Sequence, residues 1–274
     1  MIERSLLAAV ALLLAGCTSA DVDRSTQPSP SSSLSPASDR WRPAAGATWQ
    51  WQLTGGLDLD LQTDVIDVDL DAGPSVVEYF HGRGTRVICY ISVGSYERWR
   101  EDADAFPEQV LGHPYEGWSG ERWLDIRRID LLAPIMEARL DTCAEKGFDG
   151  VEPDNMQIHD NDTGFGLTYR DQLRYARWLA GEAHERGLAI GQKNAPDMTV
   201  DLVDLYDFAI TEDAFDQGWA ARMHPYVEAG KPVFAAEYTD TRVDFEAACE
   251  RAETLGFSPI LKHRELNAWL ATCP

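Results

Sequence analysis

Two acids stand out for the chemistry they could do together. Asp154 closes the run Gly150-Val151-Glu152-Pro153-Asp154, and Glu212 closes Phe208-Ala209-Ile210-Thr211-Glu212. Each run is short, largely apolar and of the kind that forms a buried strand. Paired carboxylates can break a glycosidic bond: one protonates the departing oxygen while the other attacks the anomeric carbon or activates water. Lys193, ending Ala189–Lys193, would put a positive charge near Asp154 and favour its ionised form, which suits a nucleophile. Glu212 has Phe208, Ile210 and Phe215 close in sequence. Such an apolar setting would suit a proton donor and acceptor.

Other polar residues fall at the ends of similar runs. Asp67, Asp69 and Asp71 follow one another at the end of Val65–Asp69, and Tyr90 and Ser92 end Arg86–Ser92. Asn155 and Asn194 come directly after Asp154 and Lys193, and Glu237-Tyr238 follows Val233–Ala236. Substrate contacts are therefore expected from Asp69, Tyr90, Ser92, Glu152, Asn155, Lys193, Asn194, Glu237 and Tyr238. Glu237 is the chief rival of the Asp154–Glu212 pair, and Glu152 shares the face of Asp154 one layer deeper. Trp49, Trp51, Tyr90, Tyr96, Phe165, Trp219 and Tyr238 lie near the same positions, where rings could stack on sugars.

Something must bring these run ends together. Strands are expected at Thr48–Gln52, Val65–Asp69, Arg86–Ser92, Gly150–Asp154, Ala189–Lys193, Phe208–Glu212, Val233–Glu237 and Ser258–Lys262. Helical periodicity separates them, most clearly at Leu131–Lys146, Tyr169–Arg186 and Val243–Leu255. Gly147, Gly187, Gly230 and Gly256 stand where helices should stop, and Pro74 where one should start. Eight strands alternating with helices predict an α/β fold, a single-domain (β/α)₈ TIM barrel, over residues 41–274. Active sites in such barrels lie at the C-terminal strand ends. Asp154 and Glu212 end strands 4 and 6, and alternate strands feed one interior layer. Two strand spacings separate their backbones by about 9 Å. Inward side chains could narrow the carboxyl gap to about 5–7 Å, a span covering both retaining and inverting hydrolysis.

Charge narrows the classes further. Asp and Glu number 46 against 24 Lys and Arg, a formal charge of −22. That balance excludes a nucleic-acid binder, whose footprint is basic. The acids are uneven: Asn194–Ala221 holds seven and no Lys or Arg. A negative mouth would attract a cationic polymer. Leu6–Ala15 is too short to span a bilayer. It reads instead as the apolar part of an export signal over residues 1–16. Leu14-Ala15-Gly16-Cys17 resembles a bacterial lipoprotein cleavage box with Cys17 as the lipidated residue. The Ser/Pro-rich stretch 17–40 reads as a tether. The expected place is the outer face of the cell membrane, held by the lipid alone.

Four cysteines remain, and an even number in an exported domain suggests disulfides. Neighbouring elements favour Cys89–Cys143 and Cys249–Cys273 among three possible connectivities. No metal or cofactor is expected: His159-Asp160-Asn161-Asp162 lacks a second His or Cys at ligand spacing. Asp67-Val-Asp69-Leu-Asp71 imitates an EF-hand start, but Ala72 and Pro74 stand at wrong places in that loop.

Val87-Ile88-Cys89-Tyr90-Ile91-Ser92-Val93-Gly94, Gly147-Phe148-Asp149-Gly150-Val151-Glu152-Pro153-Asp154-Asn155 and Gly191-Gln192-Lys193-Asn194 together resemble glycoside hydrolase family 114. Leu167–Tyr175 and Ser258–Lys262 extend the likeness over essentially all of residues 49–274. The resemblance implies a (β/α)₈ endo-α-1,4-polygalactosaminidase, with the family's two catalytic carboxylates falling on Asp154 and Glu212. Lys193 and Asn194 match its Lys-Asn after strand 5. The sequence departs at Thr211-Glu212-Asp213-Ala214, where the family often carries Asn-Glu-Gln-Cys, yet the acid is retained. The implied partner is a galactosamine-rich polysaccharide, and the chain is expected to be a monomer. The competing readings are a glycosidase of another α-linked sugar and a non-catalytic carbohydrate-binding lipoprotein on the same barrel.

Overall fold

The computed structural model describes residues 40–274. The export signal, Cys17 and most of the tether lie outside the described residues. All eight expected strands form: β1 Trp49–Gln52, β2 Val65–Asp69, β3 Arg86–Ser92, β4 Gly150–Asp154, β5 Ala189–Lys193, β6 Phe208–Glu212, β7 Val233–Tyr238 and β8 Ser258–Lys262. They run parallel in chain order from β1 to β8. This is the curled sheet of a (β/α)₈ barrel. Among the described residues no ladder joins β8 back to β1. Side chains close that seam: Trp49 Nε1 donates to Ser258 O at 2.9 Å, and Lys262 Nζ to Gln50 Oε1 at 2.7 Å. The same ammonium reaches Asn267 O and Trp269 O, and the short strand Ala271–Thr272 pairs antiparallel with β8.

The helices are α1 Pro74–His81, α2 Ile129–Glu145, α3 Tyr169–Glu185, α4 Thr199–Leu202, α5 His224–Glu228 and α6 Phe245–Leu255. Their ends follow from sequence. Pro74 occupies the first turn of α1, where its missing N–H costs nothing. Thr168 and Asp171 form a reciprocal capping box on α3. Asp244 caps α6, which ends on Gly256 in the left-handed conformation at φ 74°. Cys89–Cys143 ties β3 to α2, and Cys249–Cys273 ties α6 to the C-terminus, with Cα separations of 6.1 and 5.7 Å. None of the described helices is long and apolar enough to cross a membrane.

Period two along each strand splits the apolar residues into two cores. One fills the barrel, with Trp49, Trp51, Ile88, Phe208, Phe234 and Ile260. The other lies between barrel and helices, with Val68, Cys89, Ile91, Val151, Leu140 and Leu179. Gly191 faces Phe208 in register, and a Cβ there would come within 2.3 Å of the ring. The barrel therefore takes one large ring by leaving its neighbour without a side chain.

One unit was not foreseen. Between β3 and α2 the chain builds a three-stranded antiparallel sheet from Ser95–Glu97, Leu111–Pro114 and Glu121–Leu124, the last in the middle. It stands at the C-terminal end of the barrel. Its root is tight: a Cβ on Gly94 would fall 1.8 Å from the backbone oxygen of Asn155.

Candidate active site

A cleft of about 850 Å³ opens at the C-terminal strand ends. Asp69, Tyr90, Asp154, Asn155, Lys193, Asn194, Glu212 and Tyr238 all line it. At its centre the Lys193 ammonium meets three carboxylates: Glu152 Oε1 at 2.6 Å, Asp154 Oδ1 at 2.8 Å and Glu212 Oε2 at 3.2 Å. The oxygens of Asp154 and Glu212 that face it are therefore no more than about 6 Å apart. The side chains of Asp154 and Glu212 are 17% and 27% exposed, whereas Lys193 and Glu152 are 1% and 0%. Two carboxylates thus face the cleft, on a buried cation and a third acid. Burial alone would strip Lys193 of its proton, but Asp154, Glu152 and Glu212 outweigh it and hold the ammonium well above the ordinary lysine range. Its other side rests on the Trp51 ring, 4.4 Å from the centroid.

Each exposed carboxylate is fixed by further donors. Tyr90 Oη donates to Asp154 Oδ2 at 2.9 Å. Tyr238 Oη donates to Glu212 Oε1 at 2.5 Å, and Asn194 Nδ2 to Glu212 Oε2 at 3.1 Å. The Asn194 amide has one possible orientation, because its Oδ1 accepts from the Glu212 backbone N–H at 2.8 Å. Burial and the neighbouring carboxylates push both phenols well above the ordinary tyrosine range, so they remain donors. Tyr238 is itself held by Arg264, whose guanidinium stacks 3.7 Å from the ring centroid while pairing with Asp213 and Asp240. The apolar setting expected for Glu212 is absent at its carboxylate. Phe208 and Ile210 sit deeper in the barrel core and Phe215 in the core outside it, leaving the head group among polar partners.

Backbone strain gathers at the same place. Asn155, Asn194, Ala195 and Asp213 take positive φ of 64°, 45°, 50° and 52°. Three of them directly follow Asp154, Lys193 and Glu212, and Ala195 follows Asn194. Non-glycine residues held there cost energy, and such outliers cluster at functional sites.

Three expected contacts do not reach the cleft. Glu237 is buried on the outer face of β7, where its carboxylate accepts from the backbone N–H groups of Phe215 and Asp216 at 2.8 and 3.1 Å. Burial raises it to about 7. Adjacent residues of a strand face opposite ways, so Glu237 and Tyr238 cannot both enter one cavity. Ser92 is buried beneath the inserted sheet, bonded to Ser95 and Asn155. Glu152 lies below the cleft on Lys193. Of the expected aromatics, Trp51, Tyr90, Trp219 and Tyr238 line the cleft, whereas Trp49 is core. Asp69 faces the cleft but is engaged by both terminal nitrogens of Arg100, at 2.7 and 2.8 Å, which also binds Glu97. His159 turns toward Asp197 at 3.0 Å and Asp160 at 3.4 Å, on the cleft edge.

The inserted sheet supplies what sequence reasoning missed. Trp99, Tyr115, Trp118 and Glu121 line the cleft from it, and both Trp side chains are exposed. The stretches Arg98-Trp99-Arg100 and Gly117-Trp118-Ser119-Gly120, each an aromatic in polar or flexible company, were the available signal. Glu121 accepts from Ser95 Oγ at 2.6 Å, and burial pushes it up to about 7.

Residues 31–274 match the profile of glycoside-hydrolase family GH114. The crystal structure of Aspergillus fumigatus Ega3 in complex with galactosamine is similar, at 36% identity and a TM-score of 0.80, over 85% of this chain and 97% of that one. The glycoside hydrolase domain of PelA from Pseudomonas aeruginosa shares the fold at 16% identity and a TM-score of 0.67, over 83% and 99% of the two chains. A protein of Deinococcus radiodurans is 26% identical over 270 residues, 85% of this chain and 86% of its own.

Proposed function

The chain belongs to glycoside hydrolase family GH114 and is a glycoside hydrolase, and from that premise we propose that it cuts α-1,4-linked, galactosamine-rich polysaccharide internally, with Asp154 as nucleophile and Glu212 as acid and base. The observation that carries the assignment of roles is that the Lys193 ammonium hydrogen-bonds Asp154 Oδ1 at 2.8 Å, while it stands 3.2 Å from Glu212 Oε2 without a hydrogen bond. It fixes the Asp154 carboxylate for attack on the anomeric carbon. Glu212, held by Tyr238 at Oε1 and by Asn194 at Oε2, gives a proton to the departing oxygen. The resulting glycosyl ester is opened by water, from which Glu212 takes a proton back. A gap of no more than about 6 Å between the facing oxygens favours this two-step, retaining course, since the inverting arrangement leaves about 6.5–9.5 Å for a water. An open cleft with exposed Trp99 and Trp118 suits binding along a chain rather than at its end.

The test is to incubate the purified protein with deacetylated and acetylated galactosamine polymers, size the fragments and follow the first-formed anomer by proton NMR. Mid-sized fragments with the α anomer appearing first are expected. No fragments from any polymer would leave a binding protein, and a first-formed β anomer would overturn the nucleophile assignment.

The choice of a deacetylated polymer rests on charge. Nine Asp or Glu side chains and four Lys or Arg line the cleft. Ammonium groups along the substrate would be drawn to such a mouth. Raising ionic strength shortens the screening length from about 30 Å at 0.01 M to about 3 Å at 1 M. The expected result is a severalfold fall in kcat/KM on the deacetylated polymer across that range, with the acetylated one little affected. Equal salt profiles would remove charge as the basis of recognition.

We further propose that Cys17 carries lipid and holds the enzyme on the outer face of the membrane. Detergent-phase partitioning of the full chain is expected to vanish in Cys17→Ser. A wild-type chain found wholly in the aqueous phase would refute the anchor.

A further inference from the structure

Beneath the Lys193 cluster lies a carboxyl pair that the proposed reaction does not use. Asp67, on β2, is fully buried, and neither of its oxygens has a hydrogen-bond partner. Glu152 Oε2 also has none, although its Oε1 receives Lys193 at 2.6 Å. The Asp67 and Glu152 carboxyls lie within hydrogen-bonding reach of each other. The charged groups facing Asp67 are Glu152 and Asp154 on β4 and Lys193 on β5, while its register neighbours are Trp51 on β1 and Ile88 on β3. None of these supplies a donor. The Lys193 ammonium hydrogen-bonds Glu152 and Asp154 and lies 3.2 Å from Glu212, with no bond to Asp67, and the Trp51 indole N–H has no partner.

Two bare carboxylates cannot face each other in a dry interior; a proton between them satisfies both. Burial first, and the Glu152 charge second, drive Asp67 well above the ordinary aspartate range, so it is the partner that keeps the proton. We propose that Asp67 is a positioning residue: as a neutral acid it donates to Glu152 Oε2, which keeps Glu152 an anion whose Oε1 holds Lys193 in contact with Asp154 and Glu212. Without that donor Glu152 would itself take up a proton, and Lys193 would lose one of its three anions. The kinetic consequence rests on the glycosidase reading; the proton does not.

The experiment compares the full chain with Asp67→Asn and Asp67→Leu. The Asn amide can donate to the same oxygen, so kcat is expected within about threefold of the parent. Leu fills similar space without a donor, and kcat is expected to fall about 100-fold with KM little changed. The parent-minus-Asp67→Asn infrared difference at neutral pH should contain the carbonyl band of a neutral carboxylic acid. That band is read without substrate, so it stands or falls apart from the glycosidase reading. If Asp67→Leu does not fold, Asp67→Asn and the infrared band still decide. A difference spectrum without the acid band overturns the proposal, as does a folded Asp67→Asn that loses as much turnover as Asp67→Leu.

Discussion

Asp154→Asn and Glu212→Gln should each lower kcat on polymer by about 10⁴-fold or more, through removal of the nucleophile or of the proton shuttle. The two losses differ in kind. An aryl galactosaminide with an acidic phenol departs without help from a proton. Glu212→Gln should therefore still form the glycosyl ester from such a substrate, stall at its hydrolysis and be rescued by azide. Asp154→Asn should form no ester, and any azide product from it should have the inverted, β configuration. Both side chains are partly exposed at the cleft and hold no part of the core, so both variants should fold. An azide product of retained, α configuration from the Asp154 variant instead would exchange the roles. Near-parental turnover in either variant would remove that residue from the chemistry.

Lys193→Met should cost both stability and turnover. Removing the ammonium strands Glu152, fully buried, without a counter-charge. Breaking one side of a buried pair typically costs about 3–5 kcal/mol. The same change leaves Asp154 and Glu212 without the cation between them, and loss of one preorganised electrostatic contact typically costs about 10²–10³ in kcat. Urea denaturation and steady-state kinetics separate the two effects. In Lys193→Met with Glu152→Gln, stability should largely return because the stranded charge is gone, but turnover should not. A single variant as stable as the parent would mean that Glu152 is neutral and that Lys193 is held by Asp154 and Glu212 alone.

The barrel was legible because each strand is a short apolar run ending in polar residues, with helix-stopping glycines such as Gly147 and Gly256 before the next. Period two and strand parity were enough to place Asp154 and Glu212 at one mouth. The same parity, applied to Glu237-Tyr238, would have sent Glu237 to the outer face, where β7 puts it. Ser92 misled for another reason. The chain turns into the inserted sheet directly after it, so its position beside the mouth becomes an interior one. That sheet itself was illegible: its strands are three or four residues long, and one pairing shifts register between Leu111 and Pro114. Trp99, Trp118 and Glu121 went unseen with it. The proton-sharing of Asp67 and Glu152 was also out of reach, because spacing reveals which residues face inward but not which lack a donor.

The seam between β8 and β1 gives the barrel a line of least resistance. Elsewhere adjacent strands are stitched by main-chain ladders, whereas here the strands themselves are joined by an indole, an amide side chain and the Lys262 ammonium. Main-chain bonds come only beyond their ends, from Leu53 and Thr54 to Leu266 O. Burial lowers Lys262 to about 8, so mild alkali weakens this join first. In amide hydrogen exchange, β1 and β8 should be the first strands to lose protection as pH rises, even after correction for the intrinsic rate. The carboxylates stand on β4 and β6, half a turn away around the wall. The barrel can therefore breathe along a side remote from Asp154 and Glu212.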